Sequence, residues 1–447
     1  MGITVPVTGK RRAVRLQLRP EWMIRDVGLL LLAQMSMSGT SALAGVIVPI
    51  YLALIGFDAV RLGTLFAVTA LTSAVLTAGI GVLSDRLGRK VFMVALPLVT
   101  TVAAVVFTFS HAVAVIFACA AVGSFGRGAG AGGGTVGPYA PAQQAYLADA
   151  VPSSVRNTVF GRLVFASAVG AVVGNLLAAV PDLAGRLGLH GVDAYRPAFY
   201  AVALLALAAA LLALPITNRK AAPRPGDAHS WRLSRPSWSL LLRLWVTNSV
   251  NGFAIGFIGP FITYWFYRRY GAGPGTIGLL YTLINLATLA SILAAAPVAH
   301  RLGLVRTVVL SRMFQGLLLI PMVLAPTFWT AGAVYLVRMC AQRVAMPLRQ
   351  SFVMAMAPSE ERGTVAGLSN VPAQVTSVLS PTLAGYLFEH ISLALPFELG
   401  GLIQLAGNVL FYAFFRHVRP PEERHADDPA VPAASADRAT ELARRAP

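Results

Sequence analysis

The sequence predicts an all-α membrane protein, with twelve transmembrane helices in two pseudo-symmetric six-helix bundles. Three observations carry that prediction: a composition too apolar for a water-facing surface, apolar runs of spanning length, and an internal repeat that relates the two halves. Of the 447 residues, 56% are hydrophobic and 12% are charged, and the mean hydropathy is +0.68. A soluble domain carries about a quarter charged residues, so the outer face of this one must meet lipid. The net charge of +18 would point to nucleic acid if it formed one basic face. Instead the arginines fall in short bursts between apolar runs, and no nucleic-acid partner is expected.

A helix needs roughly 20 apolar residues to cross the hydrocarbon layer. Such runs are predicted over residues 27–55, 60–83, 91–109, 112–148, 158–180, 197–215, 240–266, 275–298, 305–325, 330–357, 364–388 and 395–415; they are called spans one to twelve. Span one follows Lys10, Arg11, Arg12, Arg15 and Arg19 but is too long for a signal-peptide core, so it is expected to stay. Basic residues gather at the N-terminus, at Arg86, Arg89 and Lys90, at Arg156 and Arg162, from Arg219 to Arg243, at Arg301 and Arg306, and after Arg416. The positive-inside bias then places both termini in the cytoplasm of a cell whose inner membrane the chain crosses, with Arg268 and Arg269 as exceptions. The expected organisation is a basic N-terminus over 1–26, a first bundle over 27–216, an Arg, Pro and Ser-rich cytoplasmic linker over 217–239, a second bundle over 240–416 and a disordered tail over 417–447.

The repeat ties the halves together. Arg86-Leu87-Gly88 recurs as Arg301-Leu302-Gly303, an offset of 215, and Gly63 recurs as Gly278 at the same offset. Pro141, Gln144, Pro152, Ser153, Arg156, Thr158 and Gly161 recur as Pro347, Gln350, Pro358, Ser359, Arg362, Thr364 and Gly367, all offset by 206. The missing nine residues fit the glycine-rich run from Gly126 to Gly137 in span four.

The segment Gly81-Val82-Leu83-Ser84-Asp85-Arg86-Leu87-Gly88-Arg89-Lys90 closely resembles the loop signature of the major facilitator superfamily between spans two and three. With the twelve runs, the linker and the repeat, the resemblance extends over nearly the whole chain. It implies that Asp85 meets the start of span eleven near Gly363 and Thr364, and that Arg89 pairs with Asp149. Gly81, Asp85, Arg86, Gly88, Arg89 and Asp149 would then latch the cytoplasmic ends of the halves together in an outward-open state. The alternative is that Arg86, Arg89 and Lys90 only fix topology. In the second half Asp85, Arg89 and Asp149 become His300, Leu304 and Ala355, so the latch belongs to the first half alone. Span five, with Gly161, Gly170, Gly174, Asn175, Ala178 and Ala179, resembles the superfamily's antiporter signature with Asn175 in place of its proline. Such small residues also simply let membrane helices pack.

Candidate substrate contacts come from polar groups at membrane depth. Arg127 lies in the glycine-rich run of span four, and glycine-interrupted helices tend to line cavities. Span ten holds Arg338, Gln342, Arg343 and Arg349; the first, second and fourth share a face, and Arg343 is nearest mid-depth. An arginine at the bilayer centre costs at least about 2.5 kcal/mol, so Arg127 and Arg343 should face a cavity or a partner, whereas Arg312 and Arg349 sit where snorkelling suffices. Gln34, Ser38 and Ser41 share a face of span one, Asn248 and Asn251 one of span seven, and Asn370, Gln374 and Ser377 one of span eleven. Each set either contacts substrate or bridges helices. Tyr264 and Trp265 are expected in the interfacial aromatic belt.

No carboxylate falls plainly at mid-membrane, so the arginines favour an anionic or zwitterionic substrate, or exchange without a central carboxylate; Asp26, at the start of span one, is the proton-site candidate or else an interface charge beside Arg25. Cys119 and Cys340 have no metal or redox spacing, the histidines form no metal-spaced pair, and neither a nucleophile motif nor a Gly-x-x-x-x-Gly-Lys loop is present. The expectation is therefore a monomeric secondary transporter, not an enzyme, without cofactor or metal. It would use an ion gradient, H+, to export a small anionic or zwitterionic metabolite or drug by alternating access. Uptake of an organic anion, or a non-transporting receptor or scaffold of the same fold, are the alternatives.

Overall fold

The computed structural model describes residues 25–110, 112–125, 137–217, 234–356, 365 and 368–416. The N-terminus expected over 1–26 lies outside them up to residue 24, the linker expected over 217–239 over residues 218–233, and the tail over 417–447 entirely, as does Arg127 in the glycine run; Arg235 to Trp238 of the expected linker already belong to a helix. In the first half run α1 (Arg25–Leu54), α2 (Ala59–Leu87), α3 (Arg89–Phe109), α4 (Val113–Gly123), α5 (Tyr139–Ala150), α6 (Ser153–Leu177), α7 (Val180–Arg186) and α8 (Arg196–Ala213). In the second run α9 (Arg235–Ile258), α10 (Ile262–Tyr270), α11 (Pro274–Leu302), α12 (Leu304–Leu317), α13 (Leu319–Leu324), α14 (Phe328–Met356), α15 (Val371–His390) and α16 (Leu395–Phe415). Among the described residues there is no strand.

Seven of these stretches are each long and apolar enough to cross a membrane: 25–54, 59–80, 89–109, 158–186, 193–213, 306–324 and 395–415. The pairs α4 with α5 and α9 with α10, together with α11, α14 and α15, complete twelve passes. An even number puts α1's start and α16's end on one side, here called the terminal end; the other is the far end.

Where the chain departs from straight spans, the cause is local. Span seven breaks between α9 and α10 at Gly259-Pro260-Phe261, where proline has no N–H for the helical ladder. Gly88 and Gly303, repeat partners, have φ of +92° and +82° and make the same turn twice, from α2 into α3 and from α11 into α12. Arg268 and Arg269, the exceptions to the charge bias, occupy the last turn of α10, where cations offset the negative end of the helix dipole.

The packing divides by depth. At the terminal end each half has its own core: Val27, Leu30, Tyr146, Leu163 and Ala209 in the first, Leu241, Leu244, Val308, Phe352 and Phe411 in the second. At the far end one core runs through both halves and includes Ile47, Tyr51, Phe66, Phe199, Phe261, Trp265 and Phe397. Around the outside, large apolar side chains such as Val102, Leu204 and Leu379 stand exposed, an arrangement that suits lipid contact.

Tyr264 and Trp265 correct the expectation of an interfacial belt. They are 3% and 1% exposed. After the break in span seven, α10 re-enters the shared core, and Trp265 packs on Phe266, Tyr270 and Phe397.

Candidate functional site: a path between two halves, closed at one end

The halves are drawn together at the far end by small residues. A Cβ on Gly63 of α2 would strike the carbonyl of Pro381 in α15, and one on Gly278 of α11 would strike that of Asn175 in α6. Gly63 and Gly278 are repeat partners, and so are Asn175 and Pro381, so this is one seam built twice. Between the seams Phe66 meets Phe261 edge-on at 5.4 Å, and the Thr263 hydroxyl lies 3.3 Å from the Gly45 carbonyl and donates to it. Toward the terminal end the same helices part. The α2 face that carries the buried Gly63 continues to Thr77, which is half-buried, and the α15 face that carries the buried Pro381 runs back to Gln374, which is exposed. Ser41, at mid-depth on the α1 face that packs α5 three turns lower, is exposed although residues 42–52 are all buried.

Span ten supplies the charge. Helix α14 has 29 residues, about 43 Å, which sets Arg338 about 15 Å and Arg343 about 22 Å from its far end. Arg338 is 4% exposed. Its guanidinium stands 5.9 Å from the Tyr335 ring centroid and one Nη is 3.8 Å from the Met339 sulfur, while its Nε has no hydrogen-bond partner. Asp26 is the buried carboxylate among the described residues, at the opposite depth and in the other half. Gln342 and Arg343 are half-buried.

Arg349 corrects the snorkelling expectation: it turns inward. It donates to the Asn248 side-chain oxygen on α9 and, at 2.8 Å, to that of Asn370 at the start of α15. Asn248 donates in turn to the Ser369 carbonyl at 2.6 Å, and Trp245 to the Leu368 carbonyl at 3.0 Å. The equivalent position in the first half, 206 residues earlier, is Gln143, which donates to the Leu30 carbonyl of α1 at 3.1 Å. Each half therefore ties its fourth span to its first at the same place, with an amide in one and a guanidinium in the other. Asn248 is a bridging residue in this arrangement; Asn251, one turn on, is half-buried. Gln34 and Ser38 likewise bond to Ser167 on α6, at 3.2 and 2.7 Å, which leaves Ser41 as the open polar group of that face. Above them, Gly170 and Gly174 of α6 lie so close to the α1 backbone at Met35 and Gly39 that no side chain would fit, so the small residues of span five form the α1 seam.

Arg89 and Asp149 are brought together. The buried Arg89 donates from one nitrogen to the Asp149 carboxylate and to the Ala145 carbonyl, the latter at 2.6 Å, and so joins α3 to α5. Gly81 lies within α2, and Gly88 forms its C-terminal turn at positive φ. The side chains of Asp85 and Arg86, and the segment with Gly363 and Thr364, lie outside the described residues. Asp26, 7% exposed, accepts from the Tyr146 hydroxyl at 2.7 Å and the Thr217 amide at 3.3 Å, joining α1, α5 and the segment that follows α8. Sequence spacing gave no sign of Ser167 or Ser369 as partners, because each of their bonds crosses more than 100 residues of chain; Asn370, expected either to contact substrate or to bridge helices, bridges.

Two duplicated six-span bundles, packed at one end and parted at the other, with a guanidinium buried at membrane depth in the second, define an α-helical membrane transporter. The chain belongs to the Major Facilitator Superfamily, whose model matches residues 30–247 and again 244–447. It is 25% identical over 330 residues to the multidrug resistance protein MdtG of Serratia proteamaculans, covering 72% of this chain and 75% of that one. It is 23% identical over 389 residues to MdtG of Escherichia fergusonii, covering 84% and 90%. Among solved structures it resembles an auto-inhibited POT family peptide transporter, with a TM-score of 0.69, 13% identity and 89% and 98% of the chains covered. The nucleoside transporter NupG aligns with a TM-score of 0.68, 13% identity and 88% and 100% coverage. Membership of this superfamily makes the protein a multi-pass membrane transporter of small solutes and not an enzyme.

Proposed function

We propose that the protein exports an anionic or zwitterionic small molecule by alternating access, driven by an ion gradient, with H+ as the coupling ion. The observation that carries the substrate class is Arg338: a buried guanidinium at membrane depth with an aromatic ring and a sulfur beside it, and without a carboxylate partner among the described residues. Such a charge is costly unless it serves a passing counter-charge. Export is supported by the MdtG relatives, whose name denotes multidrug resistance. With both termini in the cytoplasm, a far end that is closed makes this the inward-facing state, ready to load from inside. Asp26 is the proton-site candidate, being the buried carboxylate among the described residues. The Asp85 cluster, with Arg89 and Asp149 held together, is the latch that would close the terminal end when the far end opens.

The test is counterflow in proteoliposomes against a panel of anionic, zwitterionic, neutral and cationic solutes, at matched and opposed pH gradients. Exchange of anions or zwitterions, inhibited by Arg338→Gln, is expected. A clear preference for cations would overturn the substrate class. Movement only in the inward direction would favour uptake, and one-sided ligand binding without solute movement would favour a receptor.

A further inference from the structure

At the far end two carboxylates cross from one half to the other. Asp182, in α7 just beyond span five, accepts at 2.9 Å from the backbone N–H of Gly275 in the first turn of α11. Glu389, in the last turn of α15, accepts at 3.0 Å from the backbone N–H of Ala59, the first residue of α2. Spans five and eleven are repeat partners, as are spans two and eight. Asp182 and Glu389 stand 207 residues apart, and Ala59 and Gly275 stand 216 apart, each within one residue of the repeat offsets. One cross-half bond is therefore made twice, and it sits directly above the paired glycine seams at Gly63 and Gly278.

The chemistry gives these bonds leverage. The first N–H groups of a helix have no partner inside it and carry the positive end of its dipole, so a carboxylate placed there is held by charge as well as by a hydrogen bond. On α2 the cap from within the same half, Asp58, serves a different amide, that of Arg61 at 2.6 Å, so Glu389 does not duplicate it. Asp182 has Arg186 one turn along its own helix and Tyr195 in its field. Glu389 shares its surroundings with Tyr264, Arg268 and Asp58. Both carboxylates are exposed, so they can be released into the far-side medium without leaving a charge buried.

We propose that Asp182 and Glu389 are the paired clasps of the far gate: their charges, placed by each half onto a helix start of the other, hold this end shut, and their release sets how readily it opens. This rests on the alternating-access reading. The experiment measures distances between spin labels in a Cys119→Ala, Cys340→Ala background. One label pair, Leu187→Cys with Ile391→Cys, spans the halves at exposed far-end positions, and a second, Leu87→Cys with Arg301→Cys, spans them at the terminal end. Asp182→Asn and Glu389→Gln are each expected to raise the far-end-open population relative to the closed one by roughly 2- to 30-fold, with the double variant shifted further. The terminal-end distance should shorten in step.

Asp193→Asn is the control, since Asp193 pairs at 2.9 Å with Arg196 of its own half; it should move neither distance. Distributions in the clasp variants identical to the parent's, or an equal shift in the control, would overturn the clasp. If the parent's two distances never change in opposite directions when a pH gradient or transported anion is applied, alternating access itself fails. A parent that alternates beside unresponsive variants sinks the clasp alone.

Discussion

Replacing Arg338 by glutamine separates a charge kept for a substrate from a charge kept for the fold. The guanidinium has the Tyr335 ring at 5.9 Å and the Met339 sulfur at 3.8 Å. Losing the cation–π contact costs about 0.5–2 kcal/mol. Removing a buried charge from membrane depth returns at least about 2.5 kcal/mol on insertion scales. The unliganded variant should therefore unfold at the same temperature as the parent or higher. Binding moves the other way: hydrogen bonds to a charged group are worth about 1.5–3 kcal/mol, so affinity for a transported anion should fall roughly 10- to 150-fold. Arg338→Lys, which keeps the charge but not the planar fork, should fall between. Thermal unfolding in detergent, paired with binding titrations of the same samples, reads both quantities. A variant that unfolds well below the parent while still binding and transporting anions would refute the reasoning, because a charge removed from a structural pair destabilises by about 3–5 kcal/mol.

Arg349→Ala should behave in the opposite sense and lower thermal stability, since the side-chain oxygens of Asn248 and Asn370 would each lose a donor at about 1–3 kcal/mol; an unchanged unfolding temperature would show that this tie is idle. Gly63→Val and Gly278→Val should each force the far end apart by comparable amounts, because a Cβ at either site meets a backbone carbonyl; the far-end spin-label distance checks this, and a response at one site only would contradict the duplicated seam. Asp85→Asn and Arg89→Ala should slow transport while leaving substrate affinity in detergent largely intact, with the latch role lost if turnover is unchanged. Asp26→Asn should abolish proton-driven export but preserve counterflow, which needs no net proton movement, and persistence of uphill export would remove Asp26 from the coupling scheme.

The span count and the duplication were legible in the chain because lipid imposes a local demand: each crossing must supply its own run of apolar residues and satisfy its own backbone. A repeat offset is likewise visible one residue at a time. The turn made by Gly88 and Gly303, and the break at Pro260 inside the run expected over 240–266, have causes in single residues but came to light only in the structure. The presence of arginines at depth in span ten was equally plain.

What the linear order left open was which polar group meets which. Arg349 looked free to reach the headgroups until α9 and the start of α15 brought two amide oxygens to it. Trp265, at the edge of an apolar run, read as an interfacial anchor until the broken seventh span folded it into a core shared by both halves. Asp182 and Glu389 gave no signal, because a carboxylate at a helix end is ordinary until another half sets a helix start against it. Hydropathy acts within a segment, whereas a bond between segments depends on their relative placement. That placement is set by the packing of whole bundles, so the span number belongs to the sequence, and the end at which the path is closed belongs to the tertiary structure.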